Sequence, residues 1–360
     1  MEKHSGKNGN KYNMKTLIIG NEGYVGPHVV NRIKQYHSDC WIAGFDIGYF
    51  AHTITAQEFP ELNIDVQYRG DVRNFPENLL KEFDSVIYLA AISNDPMGKE
   101  FEQVTYDVNH YSAILIAKAA KKVGVNHFVY ASSCSVYGSA DDKPRTENSD
   151  LNPLTAYAIS KVSTEKALEP LAANNFIVTC LRFATACGFS PRLRLDLVLN
   201  DFVASALAVG KIEILSDGTP WRPLIHVQDM GCAIDWAINR GHDNAANFLV
   251  VNTGSNNWNY QIKDLALAVK DQFTSIDLSI NEDAEPDKRS YQVDFSLFKK
   301  LAPDYAPRID LEEAVKDISK GLKAIGFNDS NFRQSNLMRL NVLHAHIKND
   351  RLNNKLEWQG

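Results

Sequence analysis

The chain has 360 residues, of which 44% are hydrophobic and 23% are charged, and its formal net charge is −6. A chain of this length and composition can bury a large core, so collagen-like, coiled-coil and intrinsically disordered classes are excluded. The acidic balance provides no positive field for nucleic acid or for an anionic membrane surface. The five cysteines are scattered without metal-ligand spacing, which is typical of reduced thiols in a cytoplasmic protein, and no metal site is predicted.

The first thirteen residues are polar, so we predict a disordered leader at residues 1–13 and a fold that begins at Met14. Short apolar runs then alternate with helical patterns, as in a chain of βαβ units. The predicted strands are Lys15–Ile19, Trp41–Phe45, Ser85–Leu89, Phe128–Ala131, Phe176–Leu181 and Phe248–Val251. The predicted helices between them are Val25–Tyr36, Thr105–Val123, Pro153–Asn174 and Leu197–Val209. No apolar run is long enough to span a bilayer.

The pattern changes after about residue 255. Charged helices at Tyr260–Phe273 and Asp310–Ile325 are separated by polar connections, and Asn331–Trp358 indicates one or two further helices. We therefore predict the α/β class: a Rossmann-type doubly wound parallel sheet with a smaller α+β substrate-binding lobe.

A glycine-rich turn follows the first predicted strand directly. Its glycines permit a tight turn and close approach of the backbone to a pyrophosphate, and the next helix would present free N–H groups to the phosphates. The predicted cofactor contacts in this turn are Gly20, Gly23, Tyr24, Val25 and Gly26.

Acidic residues lie at the end of the second predicted strand and between it and the third. Asp46 lies 20 residues beyond Gly26, where a carboxylate can hold the ribose hydroxyls of a dinucleotide. A carboxylate at this position repels a 2′-phosphate, so NAD is the predicted cofactor. Asp71 and Val72 follow Gly70 and are predicted to contact the adenine, although a surface turn is the alternative.

Several further motifs occur in a fixed order along the chain. They are Leu89-Ala90-Ala91, the run from Tyr130 to Gly138, Tyr157 with Lys161, and the runs at 218–222 and 225–229. With the glycine spacing, these motifs resemble the extended short-chain dehydrogenase/reductases, most closely the nucleotide-sugar epimerase/dehydratase branch, over residues 14–325. The resemblance implies that Leu89, Ala90 and Ala91 contact NAD and that the substrate is a nucleoside-diphosphate sugar.

Tyr157 and Lys161 lie one helical turn apart, so a lysine charge would favour the phenolate of a tyrosine that is otherwise a weak base. Lys161 could also bind the nicotinamide ribose. Ser133 follows a parallel strand, where its hydroxyl could hold the reacting oxygen of the substrate. Ser133, Tyr157 and Lys161 are therefore the predicted catalytic residues, acting as a proton relay during hydride transfer.

Arginines are the candidates for the substrate diphosphate, because their planar guanidinium groups bind it through paired hydrogen bonds. The resemblance implies this role for Arg222 and a second such role for Arg289. Arg192 and Arg194 are further candidates, and for all four a surface salt bridge is the alternative. Asn94 is predicted to touch the sugar, with a simple turn before Pro96 as the alternative.

The family pattern also discriminates between reactions. Dehydratases of this branch carry an Asp-Glu pair after the catalytic hydroxyl residue, and Cys134 and Ser135 stand there instead, which disfavours 4,6-dehydration. Thr185 replaces a common asparagine and is taken as a substrate contact, and Cys187 replaces a common tyrosine. The prediction is a 4-epimerase that acts through a transient 4-keto sugar, with an NAD(P)H-dependent 4-keto-sugar reductase as the alternative. A dinucleotide-sensing regulatory protein is the non-enzymatic alternative.

The predicted organisation has four parts. An NAD-binding domain covers residues 14–186 with a return segment at 224–253, and a nucleotide-sugar lobe covers 187–223 and 254–330. The leader at 1–13 precedes them and a helical extension at 331–360 follows. Family members commonly pair through the helices that here carry Thr105–Val123 and Tyr157, so a homodimer is predicted.

Overall fold

The computed structural model describes residues 14–139, 143–242, 244–284 and 290–360. Two sequence predictions, the leader at residues 1–13 and the substrate contact Arg289, lie outside these described residues. The strands of the described chain are β1 (Met14–Ile19), β2 (Cys40–Asp46), β3 (Val66–Arg69), β4 (Ser85–Tyr88), β5 (His127–Ser133), β6 (Ile177–Phe183), β7 (Thr185–Cys187), β8 (Lys211–Ile214), β9 (Trp221–His226), β10 (Phe248–Thr253), β11 (Asn259–Gln261) and β12 (Asp277–Ile280).

The helices of the described chain surround these strands. They are α1 (Gly26–Tyr36), α2 (Asp95–Glu100), α3 (Glu102–Tyr106), α4 (Ala113–Val123), α5 (Ala156–Leu168), α6 (Val198–Ala208), α7 (Val227–Asn239), α8 (Ile262–Lys270), α9 (Ser296–Leu301), α10 (Leu311–Ala324) and α11 (Arg339–Lys348). A π-helical segment, Asp107–Ser112, joins α3 to α4.

Seven strands form a parallel sheet in the order β10-β6-β5-β4-β1-β2-β3. The chain proceeds outward from β1 to β3 and then crosses to β4 on the other side of β1. This reversal opens a crevice at the carboxyl ends of β1 and β4, where ligands bind in such sheets. The predicted Rossmann-type doubly wound sheet is confirmed.

Helices cover both faces of the sheet, which explains why its strands are continuous apolar runs. Ile18 and Ile87 face a core that includes α1 and α7 residues. Leu17 and Val86 face the opposite core, which includes α4 residues. Neighbouring residues of one strand alternate between two buried layers, because successive side chains point to opposite faces.

Two small sheets lie outside the central one. The first has the order β11-β9-β7 and the second pairs β12 with β8. Leu224 and Ile225 of β9, Phe298 of α9 and Leu322 of α10 belong to the same core cluster as Ile18 of the central sheet. The core therefore runs without interruption from the central sheet into the lobe.

Some element boundaries differ from the sequence predictions. The helix predicted from Pro153 begins at Ala156, because the Thr155 hydroxyl accepts a hydrogen bond from the Ala158 N–H at 3.2 Å. The helix predicted from Thr105 begins at Glu102 and contains the π-helical segment. In the C-terminal extension, the structure shows one helix of ten residues, α11. Among the described residues, no helix combines the length and the apolar character needed to cross a membrane.

Candidate active site

A cleft of about 830 Å³ lies where the carboxyl ends of β1, β2, β4 and β5 meet the small sheets. The predicted cofactor contacts that line it are Gly20, Gly23, Tyr24, Val25, Asp46, Asp71, Val72, Leu89, Ala90, Ala91, Tyr157 and Lys161. The predicted substrate contacts that line it are Asn94, Ser133, Thr185 and Arg222. The fold thus brings together residues that are up to 202 positions apart in the chain.

The glycine turn requires glycine at two of its positions. Gly20 has a φ of +89°, and a Cβ there would lie 2.4 Å from the backbone nitrogen of Ala90. A Cβ on Gly26 would lie 1.9 Å from the backbone oxygen of Asn21. Gly26 begins α1 beneath the cleft, and neither a capping side chain nor an acidic residue occupies the first turn. The free N–H groups and positive dipole end of α1 therefore fit a dinucleotide diphosphate.

Asp46 ends β2 beside this turn. Its carboxylate accepts hydrogen bonds from the Gly48 N–H at 2.7 Å and from the Glu22 N–H at 3.1 Å. Burial raises the pKa of Asp46 to about 6, and the nearby negative charge of Glu22 adds to the rise. Glu22 pairs with Arg69, and its Oε1 is buried without a hydrogen-bond partner among the described residues. Two buried carboxylates therefore lie at this end of the cleft, and Arg69 balances one of them.

Asp71 lies between the cleft and the C-terminal extension. It caps a short helical turn, and its carboxylate binds the Arg73 guanidinium at 2.5–3.0 Å. Arg73 in turn donates to the carbonyl oxygens of Lys355 and Leu356. The Asp71 carboxylate is thus already used within the protein, although the residue also lines the cleft.

The three predicted catalytic residues meet at the centre of the cleft. Ser133 ends β5, and α5 carries Tyr157 in its first turn and Lys161 one turn later. The Ser133 hydroxyl accepts a hydrogen bond from the Ser135 N–H at 3.1 Å, and Ser133 and Tyr157 line the same part of the cleft. Burial raises the pKa of Tyr157 to about 12, and the neighbouring Ser133 hydroxyl opposes the rise.

Lys161 is 2% exposed and lies 5.5 Å from the centre of the Tyr157 ring. Its ammonium group donates to the backbone oxygen of Ala131 at 2.6 Å. Burial lowers the pKa of Lys161 to about 7, although Glu165 on the next turn favours its charged form. A lysine in this state can gain or lose a proton near neutral pH, which suits a proton relay.

The end of the cleft formed by the three-stranded sheet contains Arg222 and Thr185, both predicted substrate contacts. Arg222 lies on β9, donates to the backbone oxygen of Trp221 at 2.9 Å and lies 5.7 Å from the centre of the Tyr291 ring. Thr185 lies on β7 beside it in the same small sheet. Cys187 is buried away from the cleft, with its thiol directed at the backbone oxygen of Ile225.

Asn94 and Arg192 occupy positions that favour their structural alternatives. Asn94 caps α2 through the Met97 N–H at 2.9 Å, and its amide donates to Asp196 at 2.9 Å. Arg192 does not line the cleft: it is 1% exposed and pairs with Glu61 at 2.7 Å. Its guanidinium also donates to backbone oxygens of the segment after β2, so it holds that segment in place.

The structure adds Ser135 and Arg339 to the cleft, which were absent from the predicted site, and places the candidate Arg194 there. Ser135 lines the cleft with a buried hydroxyl that has no partner among the described residues. Its position two residues after Ser133 was the available signal. Arg194 lines the cleft, pairs with Asp196 at 2.6 Å and donates to Ser93. Arg339 reaches the cleft from the C-terminal extension, and no local motif marks it.

Comparisons with known proteins agree with this architecture. The sequence model of the NAD dependent epimerase/dehydratase family matches residues 16–253. A UDP-glucose 4-epimerase of Lactobacillus helveticus is 27% identical over 236 residues, which cover 60% of this chain and 69% of the relative. MoeE5 in complex with UDP-glucuronic acid and NAD superposes with a TM-score of 0.73 at 22% identity, covering 86% of this chain and 99% of MoeE5.

A second solved structure has a related description. The NAD-dependent NDP-hexosamine 5,6-dehydratase TunA gives a TM-score of 0.73 at 22% identity and covers 88% of this chain and 99% of its own. At these identities the structures establish the fold, while the family match extends over more than half of the chain. The chain therefore belongs to the NAD-dependent epimerase/dehydratase family and is an NAD-dependent enzyme.

Proposed function

We propose that this protein is a nucleoside-diphosphate-sugar 4-epimerase that acts through a transient 4-keto sugar. The observation that carries the proposal is one cleft that joins three features. The glycine turn and Asp46 lie at one end, Ser133, Tyr157 and Lys161 at the centre, and Arg222 at the other. Several relatives, including one from Bacillus subtilis that is 26% identical over 277 residues, are UDP-glucose 4-epimerases.

The cofactor and the substrate diphosphate would be held at opposite ends. Residues of the glycine turn and Asp46 would bind the phosphates and the ribose of NAD, and Leu89, Ala90 and Ala91 would line its path. Arg222 would bind the diphosphate of the sugar nucleotide through charge-assisted hydrogen bonds. NAD supplies a hydride acceptor and donor for the sugar carbon.

The protein's own side chains would remove and return the proton of the sugar 4-hydroxyl. Tyr157 would take the proton of the sugar 4-hydroxyl and later return it to the 4-keto oxygen. Ser133 would hold that oxygen, and its hydroxyl, which lowers the pKa of Tyr157, would also favour the phenolate. Lys161 would favour the phenolate further by its charge. The 4-keto sugar must then turn over within the cleft before the hydride returns to its other face.

The residues after Ser133 argue against elimination of water. Cys134 is buried with its thiol directed at the backbone oxygen of Arg182, and burial raises the pKa of the thiol. Ser135 carries a hydroxyl, which cannot act as the acid or the base in place of a carboxylate. The position therefore lacks the acid and base pair that a 4,6-dehydratase needs.

The test for epimerisation asks whether turnover requires added NADH or NADPH. Purified protein is incubated with UDP-, dTDP- and GDP-hexoses without NADH or NADPH, and the products are followed by proton NMR. An epimerase converts one C4 epimer to an equilibrium mixture with no net change in the amount of NADH. The Tyr157→Phe variant is the control for contaminating activity.

Two other outcomes would overturn the proposal. A requirement for stoichiometric NADH or NADPH, with 4-keto sugar nucleotides as the only substrates, would identify a reductase. Tight NAD binding with no turnover of any sugar nucleotide, and the same behaviour in Tyr157→Phe, would identify a regulatory dinucleotide-binding protein.

We also propose a cytoplasmic homodimer with the four-part organisation predicted from the sequence. Tyr111 beside α4 and Leu115 on α4 are 54% and 60% exposed, and Ile159 of α5 is also exposed, which favours burial against a second copy. All five cysteines are free thiols, as expected in a reducing compartment. Light scattering should give a mass of about twice 40.3 kDa, and Leu115→Asp should shift it to the monomer.

A further inference from the structure

The C-terminal extension packs against the segment that follows Asp46. The Trp358 indole donates to the backbone oxygen of Ile47 at 2.8 Å, and the Tyr49 hydroxyl donates to the backbone oxygen of Leu356. His346 of α11 hydrogen-bonds the backbone oxygen of Tyr49 at 2.9 Å. The extension thereby brings the first residue of α11, Arg339, into the lining of the cleft.

Arg339 is a buried cation with no anionic partner among the described residues. It is 2% exposed, and its guanidinium donates to the Thr53 hydroxyl at 2.6 Å and to the backbone oxygen of Arg192 at 2.7 Å. It also lies 4.4 Å from the centre of the Phe50 ring. Within the described parts of the chain, no carboxylate lies within salt-bridge distance of it. A buried charge in a protein is normally neutralised by an opposite charge.

The neighbouring arginines make the contrast clear. Arg192 pairs with Glu61 at 2.7 Å, and Arg194 pairs with Asp196 at 2.6 Å. Of these three arginines, Arg339 is the one that has no carboxylate within salt-bridge distance among the described residues. Burial and the positive charge of Arg194 lower the pKa of Arg339 to about 9. The positive charge of Arg339 is therefore the one in this arginine cluster that no paired carboxylate in the described chain neutralises.

The position of Arg339 indicates where the missing anion belongs. Arg339 lines the same cleft as Asp46 and Tyr157, and the charges that act on it most strongly are those of Arg194 and Asp196. The diphosphate of a dinucleotide connects the ribose held at Asp46 to the nicotinamide half near Tyr157. The uncapped start of α1 lies at the same end of the cleft.

We propose that Arg339 binds the diphosphate of NAD and thus completes the cofactor site from the C-terminal extension. Arg339 lies outside residues 16–253, the part of the chain that the family model matches, so the glycine turn would share the diphosphate with a segment beyond the matched region. A planar guanidinium suits a diphosphate because it donates two parallel hydrogen bonds. The inference rests on NAD binding and holds whether the sugar chemistry is epimerisation or reduction.

The test measures binding rather than turnover. The dissociation constants of NAD, adenosine and UDP are measured by calorimetry on the full-length protein freed of nucleotide. In Arg339→Met we expect NAD to bind about 10- to 100-fold more weakly, the loss typical of a hydrogen bond to a charged group. Adenosine, which has no phosphate, and UDP, which probes the sugar-nucleotide end, should change by less than about 3-fold.

Two further variants separate the charge from the structural contacts. Arg339→Gln keeps a donor for Thr53 and removes the charge, so it should bind NAD as weakly as Arg339→Met does. Arg339→Lys keeps the charge and should recover part of the affinity. Arg351→Met removes an exposed arginine of the same extension and should bind NAD normally.

Three results would overturn the proposal. The first is unchanged NAD affinity in both neutral variants. The second is an equal loss of adenosine and NAD affinity that Arg339→Gln restores, which would mean that Arg339 only ties down the extension. The third is weaker UDP binding with unchanged NAD affinity, which would assign Arg339 to the substrate diphosphate. A sugar-nucleotide assay is not needed for any of them.

Discussion

The two ends of the cleft are built from different kinds of structure. At the cofactor end, Gly20 and Asp46 stand at the carboxyl ends of neighbouring parallel strands, and backbone groups carry much of the binding surface. At the sugar end, Arg222 and Thr185 lie on short strands of a three-stranded sheet, and Tyr291 packs beside them. The cofactor end depends on the shape of one turn, whereas the sugar end depends on side chains from separate segments.

This difference predicts how each end responds to substitution. A backbone turn is disrupted by added volume, because no side chain can move aside to accommodate it. A set of side chains loses affinity group by group, and each loss affects one ligand. Ser133, Tyr157 and Lys161 lie between the two ends and are the residues proposed to serve the chemistry.

The largest effect is expected between the two ends. Tyr157→Phe removes the hydroxyl that exchanges the proton, so kcat should fall about 1,000-fold, within the usual contribution of general acid–base catalysis. The dissociation constants of NAD and of UDP should be unchanged, because neither end of the cleft is altered. Tyr111→Phe, an exposed tyrosine beside α4, is the matched control and should keep full activity. Normal turnover by Tyr157→Phe would contradict the proposed mechanism.

Arg222→Met should isolate the sugar end. Loss of a charge-assisted contact to the diphosphate should raise KM for the sugar nucleotide about 10- to 100-fold while the affinity for NAD stays constant. Steady-state kinetics and NAD titration on the same preparation measure both quantities. Arg308→Met, at an exposed arginine of the lobe, serves as control. If NAD affinity fell as much as sugar affinity, the two ends would not be separable.

Gly26→Ala should isolate the cofactor end. The added Cβ would lie 1.9 Å from the Asn21 oxygen, so the turn and α1 must separate. We expect a loss of about 1–3 kcal/mol in the free energy of unfolding and about 10-fold weaker NAD binding, with UDP binding retained. Chemical denaturation and calorimetry measure these changes. Gly241→Ala, where a Cβ meets open space, should be neutral in both. An equally neutral Gly26→Ala would contradict the close packing of the turn.

The smallest effect concerns the pH dependence of the cofactor end. The pKa of Asp46 is raised to about 6, so the carboxylate is ionised above that pH and becomes neutral below it. A neutral carboxyl accepts ribose hydroxyls less strongly, and adenosine affinity should fall about 3- to 10-fold between pH 7.5 and pH 5. Asp46→Asn should bind weakly at both pH values and show little dependence. UDP affinity should not follow the same profile; if it does, the titrating group is not Asp46.

Local patterns in the sequence were sufficient for much of the central sheet and for the cofactor turn. The predicted strands at Lys15–Ile19 and Trp41–Phe45 correspond to β1 and β2, because a strand buried on both faces is a continuous apolar run. Gly20, Asp46 and the pair Tyr157 and Lys161 also line the cleft, since their spacing is set by one strand end or one helical turn.

The tertiary structure decided what depends on contacts between distant segments. The short strands β7, β9 and β11 contain three to six residues each, and their pairing rather than their sequence defines them. Arg192 and Arg194 are two positions apart in the sequence, but one supports the segment after β2 and the other lines the cleft. Nothing in the local sequence distinguishes the two environments.

Arg339 is a second residue whose environment depends on tertiary contacts, here between segments that are farther apart in the sequence. From the sequence alone it is one arginine in a polar C-terminal extension, and its neighbours predict only a helix. The fold places it 2% exposed beside Thr53, 286 positions away, in the lining of the cofactor cleft. The sequence by itself determined the class of fold and indicated the glycine turn and the central residues that line the cleft, because those features depend on local periodicity and spacing. Only the tertiary structure decided which buried arginines have carboxylate partners, because charge compensation in a protein interior depends on which distant segments pack together.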